Sequence, residues 1–215
     1  LMAARINCLL KGFSGIRPEP LLLLAECLNR DVLPVVPCQG SVGASGDLAP
    51  LAHLALPLIG EGEAWFEGEL LPGRDALARA GVEPLRLHAK EGLSLINGTQ
   101  FMASFGALGG VRAKSLAVIA CALSVEALEG SRKAFSAGVH AVRPLRGQAA
   151  AAENVLQLLE GSAIMESHRW CDRVQDAYSL RCAPQVHGAS RDLLRYVEET
   201  VTVELNAGTD NPLVL

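Results

Sequence analysis

The sequence predicts a mainly α fold, an elongated helical bundle with a small β-hairpin and polar loops set between long helices. Three observations point there. Of the 215 residues, 50% are hydrophobic and only 4% aromatic. The core must therefore be built mainly of Leu, Ala and Val, which favours helices over a β-sandwich. A long helical pattern runs from about residue 99 to 128, and its second half, LAVIACAL from Leu116 to Leu123, is apolar on every face, as in a helix enclosed by a bundle. Lastly, Leu194, Val197, Val201 and Leu205 recur at spacings of three and four, the mark of one buried stripe.

The remaining elements follow in order. Residues 2–11 read as a helix, interrupted by Gly12, Gly15 and Pro18. Pro20 opens a second helix that reaches about Asn29. Residues 32–37 form an extended, proline-rich connector, and residues 38–47 a glycine-rich loop. Leu48 begins a helix that tolerates Pro50 in its first turn. Residues 63–72 read as a small hairpin or flap turning at Gly68, and a short helix covers roughly 74–80. Residues 131–147 form an irregular basic loop with Pro144, residues 148–160 a helix, and residues 161–183 a polar, loop-like segment. The last helix starts at Pro184, with Arg195 and Glu199 spaced to pair on its wet side. No repeat, low-complexity tract or linker divides the chain, so residues 1–215 are expected to be one partial domain without an internal boundary.

Bulk properties exclude several classes of function. With 19 Lys+Arg against 23 Asp+Glu the formal net charge is −4, which offers no basic excess for nucleic acid. Only 20% of residues are charged, which excludes a disordered chain. No apolar run spans a bilayer: residues 115–125 are too short, and residues 32–46 are broken by Pro34, Pro37, Gly40 and Gly43. Cys8, Cys27, Cys38, Cys121, Cys171 and Cys182 show no paired spacing, consistent with ordinary buried thiols in a reducing, cytoplasmic compartment. His168 and Cys171 form an isolated His-x-x-Cys without further nearby ligands, so no metal is expected. The chain starts at Leu1 and stops after an Asn-Pro turn signal, which reads as a piece of a longer protein.

The chemistry concentrates in residues 40–47, GSVGASGD. They lack the Gly-Lys-Ser/Thr of a phosphate loop and the final glycine of a nucleophile elbow. As a plain helix-entry loop, the segment places Asp47 to cap the helix at Leu48. As a self-modifying segment, it is suited to ring closure. The Gly46 amide nitrogen attacks the Ala44 carbonyl carbon, and one water leaves with that oxygen. A second water leaves with the Ser45 hydroxyl, giving a 4-methylidene-imidazol-5-one (MIO). Gly46 leaves its nitrogen unhindered, Ala44 is small, and Gly40 and Gly43 permit the strained backbone.

Residues 40–53 (GSVGASGDLAPLAH), 90–100 (KEGLSLINGTQ), 174–186 (VQDAYSLRCAPQV), 209–213 (TDNPL) and 12–17 (GFSGIR) together resemble the aromatic amino-acid ammonia-lyases, in that family's order and spacing. The Tyr178-Ser-Leu-Arg-Cys182 version and Gln185-Val186 resemble the histidine branch. The resemblance implies a larger all-α lyase fold of which this chain is the central portion. It implies non-oxidative deamination of L-histidine to trans-urocanate and ammonia, using an MIO made from Ala44, Ser45 and Gly46 with no external cofactor. It also implies a homotetramer whose active sites collect residues from several subunits. A base-bearing tyrosine loop and an acidic residue that reads the imidazole would lie outside residues 1–215, so the isolated chain is expected to be inactive.

Site residues follow position by position. Asn97 reads locally as a turn or C-cap residue; the resemblance places its amide beside the prosthetic group. Tyr178 and Arg181 are one helical turn apart, on the same side, and a guanidinium suits bidentate capture of an amino-acid carboxylate. The resemblance makes Arg181 the carboxylate binder, Tyr178 a polar or proton-handling group beside the prosthetic group, and Gln175 an aid to the orientation of either. Asp47 would cap its helix, support ring closure, or both. The open alternatives are a phenylalanine or tyrosine lyase or an aminomutase on the same scaffold, a non-catalytic helical assembly protein and, more distantly, a serine hydrolase using Ser45.

Overall fold

A computed structural model describes residues 1–42, 46–126 and 132–215. The architecture is mainly α with one small antiparallel sheet. It gathers into two compact units, one formed by Leu1–Ala107 with Thr200–Leu215 and the other by Leu108–Glu199. The divisions fall inside two long helices, α6 (Gln100–Glu126) and α11 (Ala183–Leu205), so neither is an irregular linker, although Gly106, Gly109 and Gly110 crowd the one in α6.

The first unit contains α1 (Met2–Leu9), α2 (Pro18–Asn29), β1 (Leu33–Pro34), α3 (Leu48–Ala55), β2 (Glu63–Phe66), β3 (Glu69–Pro72), α4 (Gly73–Arg79) and α5 (Glu91–Ile96). Helix α2 begins two residues before Pro20. Both prolines lie in the first turn, where backbone N–H groups have no intrahelical partner. The expected hairpin is present: Trp65 pairs with Leu70 and Phe66 with Glu69. Its turn residues Glu67 (φ 51°) and Gly68 (φ 80°) are both left-handed, as a two-residue turn matched to strand twist requires. Two residues of the proline-rich connector go further than expected and add a third strand, Leu33 opposite Trp65 and Pro34 opposite Ala64. Pro34 is tolerated because β1 is an edge strand. Leu9, Leu24, Val32, Leu51, Leu54, Leu58, Leu77 and Leu95 form the buried centre. Each fully buried leucine contributes about 2 kcal/mol relative to exposure.

The second unit holds α7 (Ala137–Ala141), α8 (Arg146–Leu158), α9 (Ala163–Ser167) and α10 (Tyr178–Arg181), with Phe135, Ala151, Val155 and Leu159 at its core. The predicted basic loop is corrected here: Arg132–Phe135 is a turn of 3-10 helix and α7 follows it; residue 131 lies outside the described residues. Polar contacts replace the apolar periodicity that would have revealed it. Gln148 Nε2 donates to His140 Nδ1 at 2.9 Å, and His140 Nε2 donates to the Ala134 carbonyl at 3.0 Å. The segment 161–183 likewise contains α9 and α10, and Ser162 caps α9 through its hydroxyl. Helices α8 and α11 meet backbone to backbone, since a Cβ on Gly188 would stand 2.4 Å from the Gln148 Cα.

Two expectations for the long helices change. Leu194, Val197, Val201 and Leu205 are half-buried, not fully buried. Arg195 pairs with Asp192, one turn back, instead of Glu199. Asp192 is already anchored by the Gly147 N–H at 2.9 Å and offers a fixed carboxylate. In α6, Leu116, Val118, Ile119 and Leu123 are at least half exposed within the described chain while Ala113, Ala117 and Ala120 are half-buried, so its large apolar side chains are left uncovered. No helix among the described residues is long and apolar enough to cross a membrane.

Candidate active site

Ala44 and Ser45 lie outside the described residues, and Gly46 is the first described residue after them. Gly46 is buried, takes a left-handed φ of 72°, and forms a parallel bridge with Gly98. A Cβ at Gly46 would stand 3.0 Å from the Gly98 carbonyl oxygen. Glycine is therefore needed both for the backbone angle and for the close approach. Asn97, which precedes Gly98, ends α5 in an extended conformation, with its N–H bonded to the Leu93 carbonyl at 3.0 Å. The structure thus brings Gly46 of the candidate triplet against the link that carries Asn97. This backbone fits the proposed prosthetic group, since the position that must supply an unhindered nitrogen is held without room for a side chain.

Asp47 occupies the N-cap position of α3, but its side chain makes no cap bond there, which corrects the capping expectation. It caps α6 instead. Asp47 Oδ2 accepts from the Met102 N–H at 2.9 Å, and Oδ1 accepts from Ser41 Oγ at 2.6 Å. Its own N–H donates to the Gly98 carbonyl at 3.3 Å. The fully buried carboxylate thereby joins both sides of the glycine-rich loop to the start of α6, where helix amides are otherwise unpaired.

Beneath this loop lies a buried polar network that sequence reasoning missed. Arg5, on α1, has no exposed surface. Its Nη1 donates to Gln100 Oε1 at 2.7 Å, and its Nη2 to Asp210 Oδ1 at 2.7 Å and to the Ser94 carbonyl. Gln100 Nε2 donates to Thr209 Oγ1 at 2.7 Å. In the sequence, Arg5 is flanked by Met2, Cys8 and Leu9, all buried on one face of α1. A charge inside an apolar stripe was the available signal. In the TDNPL motif the buried partner is Asp210, while Asn211 is exposed.

A second ion pair ties the GFSGIR motif to α5. Arg17 Nε donates to Glu91 Oε1 at 2.6 Å and a second guanidinium nitrogen to Oε2 at 3.0 Å; the His88 N–H adds a bond to Oε2 at 2.6 Å. The Arg17 hydrogen bonds dominate, with the His88 amide assisting. Together they outweigh burial and hold the Glu91 carboxyl down at about 2. Lys90 Nζ and Ser94 Oγ both donate to the Ser14 carbonyl. Four of the five motifs therefore meet inside the first unit.

The fifth motif lies in the second unit. Residues 178–181 form the single turn α10, and the Arg181 guanidinium carbon lies 4.7 Å from the Tyr178 ring centre, so the expected same-side pairing is present. Tyr178 is largely exposed and Arg181 half-buried. Arg181 Nε and Gln185 Oε1 are buried without hydrogen-bond partners among the described residues. Gln175 is exposed in the irregular segment before α10. No group of three His, Cys, Asp or Glu able to hold a metal ion occurs among the described residues.

Comparison with known proteins accounts for this concentration of motifs. The family model described as aromatic amino acid lyase matches residues 1–215. A histidine ammonia-lyase of Gloeobacter violaceus is 60% identical over 217 residues, covering 100% of this chain and 42% of that protein. The chain thus spans less than half the length of such relatives. The crystal structure of histidine ammonia-lyase from Trypanosoma cruzi aligns with a TM-score of 0.86 at 43% identity, over 100% of this chain and 40% of that one. Ergothionase from Treponema denticola aligns with a TM-score of 0.93 at 32% identity, over 100% of this chain and 43% of that one. The chain belongs to the aromatic amino acid lyase family.

Proposed function

We propose that the protein containing this chain is a histidine ammonia-lyase, converting L-histidine to trans-urocanate and ammonia without oxidation. The observation that carries the proposal is the buried, left-handed Gly46 paired to Gly98 beside Asn97. Identities of 51–60% to relatives named histidine ammonia-lyase support the choice of substrate.

In this reading Ala44, Ser45 and Gly46 close to the MIO as set out above. Gly46 supplies the ring-closing nitrogen, and two waters leave with the Ala44 carbonyl oxygen and the Ser45 hydroxyl. The completed group supplies an electrophilic carbon that makes the substrate amino group a better leaving group. Asn97 holds the ring oxygen or the substrate through its amide. Arg181 grips the substrate carboxylate with a two-pronged charge-assisted contact. Tyr178, stacked against that guanidinium, handles a proton, and Gln175 orients the two. No external cofactor or metal takes part. The full-length protein works in the cytoplasm as a homotetramer, and residues 1–215 alone are inactive, because the base and the ring-reading acid lie elsewhere in the longer chain.

A substrate panel read by near-UV absorbance tests the assignment. Full-length protein should release urocanate from L-histidine and give no cinnamate or coumarate from phenylalanine or tyrosine. Turnover of an aromatic substrate with none of histidine would move the protein to a sister activity on the same scaffold.

A further inference from the structure

We infer that Arg5 is a positioning residue for the reaction, acting through the three-residue link that joins α5 to α6. The inference rests on the ammonia-lyase reading. The link is Asn97-Gly98-Thr99, and Arg5 fastens both of its ends. One guanidinium nitrogen binds the Ser94 carbonyl in the last turn of α5, and the other binds Gln100 Oε1 at 2.7 Å, at the first residue of α6. Asp210 Oδ1, 2.7 Å from Nη2, fixes the guanidinium, and Cys8 Sγ donates to Asp210 Oδ2 at 3.4 Å. Gln100 is held in turn by donating to Thr209.

The link passes directly over this clamp. A Cβ on Gly98 would stand 2.2 Å from Gln100 Oε1 and 2.4 Å from Arg5 Nη1. Gly98 therefore rests on the Arg5–Gln100 pair on one side and bridges Gly46 on the other. The chain of contacts runs from Arg5, through Gly98, to the amide that must attack Ala44. Through the same link it reaches Asn97, one residue away.

Stability alone is a weak reason for a buried arginine here. An Arg–Asp pair without exposure is often no better than apolar residues of similar volume. Arg5 Nε is also buried without a partner among the described residues, which adds cost. What the guanidinium supplies is a rigid fork that meets three acceptors on three segments at fixed angles, which a lysine cannot do.

The test uses the full-length protein carrying Arg5→Lys, which keeps the charge opposite Asp210 but removes the fork. It is assayed well below its melting temperature. Two quantities are read: the fraction of intact chains lighter by two waters, and kcat and KM for histidine. We expect a smaller matured fraction, and kcat per matured site lowered about ten- to a hundredfold, the scale of a small misplacement of reacting groups. KM should change less than kcat, because Arg181 and not this link binds the carboxylate. Gln100→Met, which leaves the Arg5–Asp210 pair intact, should shift the same two quantities less, and decides the matter if Arg5→Lys does not fold. Full maturation with kcat within about twofold of the parent in Arg5→Lys, or in Gln100→Met where Arg5→Lys does not fold, overturns the inference while leaving the lyase reading intact. A parent that shows neither the two-water deficit nor urocanate overturns both.

Discussion

At the scale of single residues, the site divides into groups that announce themselves and groups that do not. The same-side placement of Tyr178 and Arg181 is legible because three residues make one helical turn, and they do stack; their proposed roles rest on the resemblance. Asp47 is misleading in sequence, because the helix amide that it caps belongs to Met102, 55 positions away. Arg5 is visible only as a charge in an apolar stripe; nothing local names Ser94, Gln100 or Asp210 as its partners. Two predictions belong here. Arg181→Lys should lower kcat/KM for histidine about ten- to a hundredfold, mostly through KM, because one charge-assisted bond of a bidentate pair is worth about 1.5–3 kcal/mol. Steady-state kinetics checks this. Glu91, held near 2 from an ordinary value of 4.5 by Arg17, has a depressed folded-state pKa. Its stabilisation is therefore present above about pH 4.5 and is lost as pH falls towards 2. Glu91→Gln should flatten that acid limb in a plot of the urea midpoint against pH; a limb unchanged by the substitution would contradict the assignment.

At the scale of elements, local chemistry is readable and distant pairing is not. The hairpin follows from a two-residue turn containing Gly68, α3 starts at its predicted residue, and α4 lies within one residue of its predicted bounds. Strand β1 escaped because its partner residues lie about thirty positions further on, beyond any periodicity in residues 32–37. Helix α7 escaped because it is pinned by His140 and Gln148 rather than by an apolar stripe. The close contact of α8 with α11 gives a sharp test. An alanine methyl at Gly188 would stand 2.4 Å from the Gln148 Cα, a backbone atom that cannot swing aside. Gly188→Ala should cost about 1–3 kcal/mol as an overpacked contact, read as a lowered thermal midpoint. Asp47→Ala should cost about 1–2 kcal/mol by uncapping α6, read the same way.

At the scale of the whole molecule, the sequence motifs contribute scaffold as well as the proposed catalytic side chains. Four of them interlock through Arg5, Glu91, Asp210 and the Gly46–Gly98 bridge. The half-exposed apolar residues of α6 agree with a chain that covers 42% of a relative such as the Gloeobacter protein. Large uncovered apolar faces on soluble chains mark surfaces meant to be packed. The central claim is that Ala44, Ser45 and Gly46 become the catalytic electrophile. Intact mass of the full-length protein tests it most directly. The mass should lie two waters below that of the sequence, and return to the full sequence mass, with loss of urocanate formation, on Ser45→Ala. A parent at its full sequence mass that still deaminates histidine would contradict it.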